Sequence, residues 1–360
     1  MMHTIAKRPD VHFSLYSPPM NLAFLEDGVI EKAAEIFDRA AIAVQGDEVM
    51  EDRVAAARLP IDYMRWKPRL GYARDGNRYL PSNAQTAGIA NRFFEVAIKH
   101  GAQALREGGR PISEEAHNLK GFDAVVLKAH GIETVIVPKL GARITSLTTG
   151  GADWLHIAHP TEQDYPFAGG YEEYSQSRWR SPGWGDTYTA DAQEDSAIFT
   201  AKLENGLTMQ RHCAIEPWTT GPSLAIRTTL TNHSATTVTT MIRPHPEFDP
   251  GDLRTSSIRI RQADGSWRDW SEWREANRST GDIWLRGIDA PQGAWAIRRS
   301  NDELIVEFNA ADLSHALLSW DGPQRIARLE LFSRLLDLGP GQSRTFEQRW
   351  IPGKMNSRRP

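Results

Sequence analysis

The hydrophobic periodicity of this chain of 360 residues changes once, from a helical period to a period of two, between Gly108 and Gly121. Before the change, apolar residues recur at intervals of three and four, which places them on one face of a helix. After it, apolar and polar residues alternate in short runs separated by Gly, Pro, Asn and Asp, the pattern of strands joined by turns. Segregated helices and strands indicate an antiparallel sheet protein rather than a parallel α/β sheet.

Three helices are predicted between Asn21 and about Gly108. The first has an apolar stripe from Ile30 to Val44 and ends at Gly46, since glycine commonly terminates helices. The second runs from Asp47 to near Tyr63, with Pro60 marking a kink or a stop. The third covers roughly Ala84 to Leu105. These helices are expected to form a small bundle or one flank of a larger domain.

Many short runs after Gly121 have strand character. They lie at 125–127, 132–136, 140–147, 197–203, 207–215, 224–232, 237–243, 256–262, 294–299, 304–309, 326–333 and 345–350. We therefore predict the α+β class, a small N-terminal α-helical region followed by a large antiparallel β-sandwich. Because a single core seldom grows beyond about 300 residues, the predicted domains are a helical segment at 1–118 and a sandwich at 119–360.

Composition excludes several classes of partner and site. The net charge is −4, from 42 Lys and Arg against 46 Asp and Glu, and neither half carries the basic excess of a nucleic-acid or anionic-membrane binder. The single cysteine, Cys213, excludes an internal disulfide and a cysteine-ligated zinc site. The sequence has no apolar run of about 20 residues and no signal-peptide core at its start, so the expected location is cytoplasmic.

The segment from Ala168 to Tyr188 combines five aromatic residues, three acids and two arginines between glycines. Aromatic rings can stack on the apolar face of a pyranose, while carboxylates and guanidinium groups hold its hydroxyls. The sugar-contact candidates, with Trp179 and Trp184 as stacking platforms, are Tyr171, Glu172, Glu173, Arg178, Trp179, Arg180, Trp184 and Asp186. A cover loop without a function is the alternative. Adjacent Glu172 and Glu173 point to opposite sides of a strand, so at most one of them can face a given pocket.

Several short motifs, taken in their order along the chain, resemble the galactose-mutarotase-like sandwich of aldose epimerases and of accessory domains in glycoside hydrolases. They are Gly141-Ala-Arg-Ile-Thr-Ser-Leu147, Gly151-Ala-Asp-Trp-Leu155, Gly169-Gly-Tyr-Glu-Glu173, Leu230-Thr-Asn-His-Ser234 and Arg243-Pro-His-Pro-Glu-Phe248. The resemblance covers roughly residues 121–352 and implies a large antiparallel β fold, the mutarotase-like supersandwich.

In the epimerases that this sequence resembles, a histidine acts as general acid and a late glutamate as general base at the anomeric carbon of the sugar. The resemblance places His245 at the position of the acid and Glu330 near that of the base. A structural histidine between two prolines and a solvent-facing strand glutamate are the alternatives. The chain departs from the epimerases between Asp123 and Thr200, where it lacks their Asn-Arg pair and second histidine.

The helical segment resembles the helical end of an uncharacterised domain that follows α-glucuronidase-like barrels in bacterial carbohydrate-active proteins. The matching stretches are Phe37-Asp-Arg-Ala40 and Arg53-Val-Ala-Ala-Ala-Arg-Leu-Pro-Ile-Asp-Tyr63. This resemblance implies a catalytic barrel as a partner, which this chain does not contain and which a separate polypeptide could supply.

Other motifs give weaker indications. The tryptophans Trp267, Trp270 and Trp273 are expected to seal one end of the sandwich. His156 and His159 have a metal-like spacing but no obvious third ligand, so no metal site is predicted. Because no Gly-x-Gly-x-x-Gly motif follows a strand, no cofactor is predicted either.

Three functions remain open on the sequence alone. The first is a carbohydrate-binding C-terminal part of a glycoside-hydrolase-like protein, with a sugar or oligosaccharide as ligand. The second is an aldose 1-epimerase-like isomerase that uses His245 and Glu330. The third is a structural module that mediates assembly without a sugar. Whether the chain is an enzyme, and which sugar it takes, is left open.

Overall fold

The computed structural model describes residues 28–67, 69, 71–102, 105–107, 110–112, 121–156, 169–178, 181–252, 255–270, 280–321 and 325–354. These residues divide into two compact units, one up to Gly121 and the other from Phe122 onward. The predicted domain boundary between residues 118 and 119 stays a prediction. No helix in the described ranges is long and apolar enough to cross a bilayer.

The described part of the first unit contains three α-helices, α1 (Val29–Ala43), α2 (Glu48–Trp66) and α3 (Ala84–Lys99). The side chain of Asp47 accepts hydrogen bonds from the first backbone amides of α2, and Asn83 does the same for α3, which satisfies donors that a helix start leaves unpaired. Trp66 of α2 packs against Phe93 and Phe94 of α3, with ring centroids 5.6 and 5.4 Å apart. The apolar faces of α2 and α3 therefore form the core of this unit.

The second helix does not stop at Pro60 but continues to Trp66. Buried charges hold the chain on both sides of the proline. Arg58 donates to Asp38 of α1 at 2.5 Å and to Asp62 at 3.0 Å, and Arg92 of α3 donates to Asp62 at 2.7 and 2.9 Å. These contacts tie α2 to both neighbours, and this tertiary packing outweighs the hydrogen bond that proline removes.

Two short hairpins interrupt the region that the periodicity assigns to helices. The strands are β1 (Tyr72–Asp75), β2 (Arg78–Pro81), β3 (Leu105–Glu107) and β4 (Arg110–Ile112). Consequently α3 ends at Lys99, and the predicted extension of this helix to Leu105 is wrong. His100 and Gly101 close α3, and Gly101 has a φ of +81°, which favours glycine.

The second unit is built from antiparallel strands. They are β5 (Phe122–Asp123), β6 (Val125–Ala129), β7 (Ile132–Val137), β8 (Arg143–Thr149), β9 (Ala152–Asp153), β10 (Gly170–Tyr174), β11 (Thr189–Ala192), β12 (Ser196–Lys202), β13 (Leu207–Trp218), β14 (Gly221–Asn232), β15 (Val238–Thr240), β16 (Arg243–Glu247), β17 (Ser257–Arg261), β18 (Trp267–Asp269), β19 (Thr280–Leu285), β20 (Ala294–Arg299), β21 (Asp302–Phe308), β22 (Leu313–Asp321), β23 (Ile326–Ser333), β24 (Leu336–Leu338) and β25 (Ser343–Lys354).

Two large sheets face each other across one core. The first, which we call the site sheet, has the order β6-β7-β8-β10-β16 and continues with β23-β22-β19. Backbone hydrogen bonds between Phe248 and Ala327, and between Ser333 and Ile242, join β16 to β23 at both ends. The second, the support sheet, has the order β11-β12-β13-β14-β25-β21-β20-β17-β18. The predicted α+β class, with a helical start and a large antiparallel β-sandwich, is confirmed.

A buried polar network crosses the core between the two sheets. Glu173 of β10 accepts a hydrogen bond from Arg211 Nε of β13 at 2.7 Å and from Thr228 Oγ1 of β14 at 2.7 and 2.8 Å. The Tyr171 hydroxyl donates to Glu173, and Gln348 of β25 donates to the same hydroxyl. Arg211 also donates to the carbonyl oxygen of Ala142 at 2.6 Å. Charged groups this deeply buried are tolerated because each has close partners.

The loop before β11 packs closely on the site sheet. Gly141 has a φ of +77°, and a Cβ there would lie 2.0 Å from the Trp184 carbonyl oxygen, so no side chain fits. Asp186 Oδ2 accepts a hydrogen bond from Gly183 N at 2.6 Å, and the Asp186 carbonyl accepts one from Gly141 N at 2.9 Å. Burial raises the pKa of Asp186 above its ordinary value of 3.8.

Replacing Glu173 by glutamine should lower the free energy of unfolding of the sheet unit by about 3 to 5 kcal/mol, because it leaves Arg211 buried without a counter-charge. Urea unfolding followed by tryptophan fluorescence measures the change. Glu347→Gln is the matched control, because the Glu347 side chain is 46% exposed and its two partners, Arg227 and Arg349, both also pair with Glu216; about 1 kcal/mol or less is expected there. Equal effects of the two substitutions contradict the assigned role of the network.

Asp186→Asn should remove a pH dependence of stability. A carboxyl group whose pKa is raised by folding stabilises fully below pH 3.8, and the contribution is lost as the pH rises through the folded-state value. The variant cannot ionise, so its melting temperature relative to the parent should be higher at pH 7 than at pH 3. Thermal unfolding at both pH values tests this, and a difference that does not change with pH is the contrary result.

Candidate functional site

One face of the site sheet carries a row of polar side chains at matching positions on adjacent strands. In the antiparallel register Glu172 of β10 lies opposite His245 of β16, and Tyr171 lies opposite Ile144, which places Glu172 beside Arg143 of β8. Glu330 of β23 lies next to His245 on the other side. Side chains directly opposite each other on neighbouring strands point to the same face, so all four converge on the face turned away from the core.

His245 lies between two carboxylates. Its Nδ1 atom is 3.4 Å from Glu172 Oε1, and its Nε2 atom is 3.3 Å from Glu330 Oε1. The Tyr174 ring packs edge-on against the imidazole, with centroids 5.7 Å apart. Both ring nitrogens therefore lie near a carboxylate oxygen, although Nδ1 is buried and makes no hydrogen bond. We call the set of side chains described here and in the next two paragraphs the His245 cluster. It consists of His245, Glu172, Glu330, Arg143, Arg243 and Tyr174.

Glu172 is held by two donors besides its contact with the histidine. Arg143 donates through one nitrogen to a carboxylate oxygen of Glu172 and through another to the Gly169 carbonyl at 2.7 Å. The Tyr174 hydroxyl donates to the other carboxylate oxygen. Burial and the neighbouring Glu172 charge raise the pKa of Tyr174 well above its ordinary value, so the phenol keeps its proton and remains a donor.

Glu330 is held in a similar way by Arg243. The Arg243 Nε atom donates to Glu330 Oε2 at 2.8 Å, a second guanidinium nitrogen donates to the same oxygen, and a third donates to the Ser177 carbonyl at 2.6 Å. The guanidinium also lies over the Tyr174 and Phe332 rings, at 5.1 and 4.7 Å. Arg243 therefore connects Glu330, two aromatic rings and the backbone just after β10.

The His245 cluster is nearly enclosed. The His245 side chain is 8% exposed, and Glu172 and Glu330 are buried to a similar degree. In surroundings of low polarity, the hydrogen bonds of ionised groups are stronger than they are in bulk water. The arrangement can bind hydroxyl groups through paired donors and acceptors, and it can hold or transfer a proton at either imidazole nitrogen.

Tyr171 and Glu173 lie on the opposite face of β10, within the core network described above, and are completely buried. The Tyr171 ring packs edge-on against Trp350, with centroids 5.1 Å apart. The alternation of β10 separates them from His245, so the structure brings Glu172 to the cluster and not these two candidates. Neither belongs to the site proposed below.

The other candidates from the 168–188 segment are dispersed. Arg178 is exposed, Trp184 is buried in the loop before β11, and Asp186 caps the turn at Gly183. Trp179 and Arg180 lie outside the described residues. The described part of the glycine-bounded run therefore contributes one carboxylate, Glu172, and one phenol, Tyr174, to the His245 cluster.

Three members of the cluster were missed among the sequence candidates: Arg143, Tyr174 and Arg243. A usable signal was present, since Arg143 belongs to the Gly-Ala-Arg-Ile run and Arg243 precedes His245 by two residues, the interval that places strand residues on one face. The partner strands of β16, however, cannot be read from a sequence pattern.

The described residues of the remaining motifs lie outside the cluster. Trp267 lies beside Arg259 and Arg261, at 5.1 and 5.3 Å from their guanidinium carbons, and Trp270 is buried in the core. Trp273 and His159 lie outside the described residues. Among the residues that the structure describes, no group of three or more His, Cys, Asp and Glu has the geometry of a metal site.

The comparisons with known proteins identify a fold. No protein-family model matches the chain, and no curated protein matches it. Among solved structures it is similar to the Slr1438 protein from Synechocystis sp. PCC 6803, with a TM-score of 0.53 and 12% identity over 64% of this chain and 95% of that one. It is similar to a galactose mutarotase-like protein from Clostridium acetobutylicum, with a TM-score of 0.50 and 12% identity over 65% and 96%. The chain thus contains a galactose-mutarotase-like β-sandwich.

Proposed function

We propose that the β-sandwich binds a saccharide at the His245 cluster. The observation that carries the proposal is the position of His245 between Glu172 and Glu330, with each carboxylate held by an arginine. Carboxylates and guanidinium groups form paired hydrogen bonds with the vicinal hydroxyls of a sugar, and the Tyr174 and Phe332 rings supply apolar surface beside them. The mutarotase-like fold supports a sugar as the ligand class.

The energetics of the cluster also favour a binding role. Collecting two carboxylates, two guanidinium groups and an imidazole in a nearly enclosed place carries a desolvation cost, and apolar residues of similar volume often stabilise a fold at least as well. The core network around Glu173 already ties the two sheets together. A second charged cluster on the outer face of the same strand is therefore better explained by recognition of a polar ligand than by stability.

Substitution of His245 or Glu330 should weaken saccharide binding. We expect the parent to bind at least one monosaccharide, and His245→Ala and Glu330→Gln each to raise its dissociation constant about tenfold or more, since each leaves buried groups without a partner. Isothermal titration against hexoses, pentoses and uronic acids measures this. His233→Ala and Glu347→Gln are controls, because both residues are exposed and lie outside the cluster. Absence of binding by the folded parent rejects the proposal.

A second candidate function, aldose 1-epimerase-like isomerisation, is favoured by the 3.3 Å separation of His245 Nε2 and Glu330 Oε1. In this reaction His245 donates a proton to the ring oxygen while Glu330 accepts the proton of the anomeric hydroxyl, which opens the ring. The open-chain aldehyde rotates about its C1–C2 bond. The two proton transfers then run in reverse and close the ring as the other anomer. Glu172 lies beside Nδ1 of the imidazole, and two hydrogen bonds from Arg243 hold the Glu330 carboxylate in place.

Anomer equilibration separates binding from catalysis. If the cluster is catalytic, freshly dissolved α-anomers should equilibrate faster with the protein, as followed by polarimetry or by anomeric proton NMR. Glu330→Gln and His245→Ala should both abolish the acceleration, because each removes one half of the proton transfer, while His233→Ala should retain it. If excess protein binds the sugar but does not change the rate of anomer equilibration, the epimerase function is rejected and the binding function stands.

The partnership of the helical segment with a separately encoded catalytic barrel stays a prediction. Its support is the resemblance of residues 37–40 and 53–63 to the domain that follows such barrels. Two further statements also remain proposals: that the chain is part of a glycoside-hydrolase-like protein, and that it is located in the cytoplasm. Light scattering of the purified chain addresses the third possibility, an assembly module, which requires a defined oligomer in the absence of sugar.

A further inference from the structure

A second polar and aromatic surface lies two strands away from Glu330 on the same face of the site sheet. In the register of β19, β22 and β23, Trp284 lies opposite Leu317, and Leu317 lies opposite Glu330. Residues paired in this way point to one face. Since neighbouring strands are separated by about 4.8 Å, the backbone of Trp284 is roughly 10 Å from that of Glu330. The row that contains His245 therefore continues to Trp284.

Trp284 is exposed although other aromatic rings support it. Its residue surface is 46% exposed. Its ring centroid lies 5.4 Å from that of His315 and 5.5 Å from that of Phe332, and these two rings are themselves stacked at 4.5 Å with an interplanar angle of 15°. Tryptophan usually has much of its surface buried, so an indole that packs against two rings and is still 46% exposed leaves part of its surface for contact with a second ring.

Two charged side chains neighbour this indole. Asp282 and Arg286 are exposed and lie two residues before and two residues after Trp284, and the Arg286 guanidinium lies over the ring, with its carbon 5.3 Å from the centroid. A carboxylate and a guanidinium group beside an aromatic face can bond the hydroxyls of a ring that stacks on that face. Burial and the charges of Arg286 and Arg243 lower the pKa of His315, so its imidazole is neutral near pH 7.

The indole is continuous with the His245 cluster. The Phe332 ring that supports Trp284 lies 4.7 Å from the Arg243 guanidinium carbon, and Arg243 holds Glu330. An unbroken sequence of contacts thus runs from Trp284 through Phe332 and Arg243 to Glu330. One sugar ring at the cluster and a linked ring on the indole would occupy neighbouring places along the same row.

We propose that Trp284, with Asp282 and Arg286, forms a second saccharide subsite, so that the sandwich takes an oligosaccharide or another glycoside with a second ring rather than a free monosaccharide alone. This proposal rests on the binding function proposed for the His245 cluster. It specifies that the saccharide ligand has at least two rings. It also assigns a role to residues outside the glycine-bounded 168–188 segment.

The test compares ligands of one and two rings on matched tryptophan variants. We expect disaccharides or trisaccharides to bind more tightly than the monosaccharide in isothermal titration. Trp284→Ala should weaken oligosaccharide binding about three- to tenfold and leave monosaccharide binding unchanged, since one aromatic contact is lost. Trp284→Phe should recover part of the loss. Trp218→Ala is the control, because Trp218 is 41% exposed, lies on the support sheet and also faces an arginine, Arg349.

The outcomes separate the two proposals. A loss confined to longer ligands in Trp284→Ala supports the second subsite. If the parent binds monosaccharides and oligosaccharides equally, or if the Trp284 and Trp218 variants behave alike, the second subsite is rejected while the binding function of the cluster stands. If no saccharide of either length binds the folded parent, both proposals are rejected.

Discussion

The ion pair between Glu173 and Arg211 is the interaction on which the arrangement of the site sheet depends. It crosses the core from β10 to β13, and the same carboxylate also takes hydrogen bonds from Tyr171 and Thr228. Because a buried charge without its partner is strongly unfavourable, β10 has one favourable register and one favourable choice of inward-facing residues. That choice directs Glu172 and Tyr174 to the opposite face, where they meet His245 and Arg143.

On the outer face of the site sheet, each buried carboxylate is paired with an arginine, and these pairs fix the positions of the carboxylates beside His245. Glu172 and Glu330 each have an arginine partner, and His245 lies between the two acids. Pairing explains how these charges are accommodated with so little exposure, while the imidazole and the arginines retain hydrogen-bonding capacity toward a ligand. Further along the row the character changes from charged to aromatic, with Phe332 buried beneath and Trp284 exposed. The proposed binding of linked sugar rings depends on this change from a polar to an aromatic surface along one row.

Local pattern in the sequence predicts the elements that depend on neighbouring residues alone. The change of period after Gly108 correctly placed the strands of the sandwich after the three helices, and the runs that became β12, β13, β14, β23 and β25 were recognised from their alternation. Local pattern was insufficient where tertiary contacts decide. Of the two expectations for Pro60, a kink or a stop, the stop is wrong, since the helix continues to Trp66 and Arg58 and Asp62 are hydrogen-bonded on either side of the proline. The strands of the β1–β2 hairpin were too short and too polar to register as strands.

The sequence by itself determined the fold class, the presence of Glu330 in a strand, and the opposite orientation of Glu172 and Glu173, because these follow from hydrophobic period and from the pleat of a strand. Only the tertiary structure decided which strands are neighbours. Pairing of β16 with β10, and its junction with β23, join residues that are 73 and 85 positions apart in the chain, from Glu172 to His245 and from His245 to Glu330. Such pairing is set by the packing of two whole sheets, and no local stretch of residues encodes it.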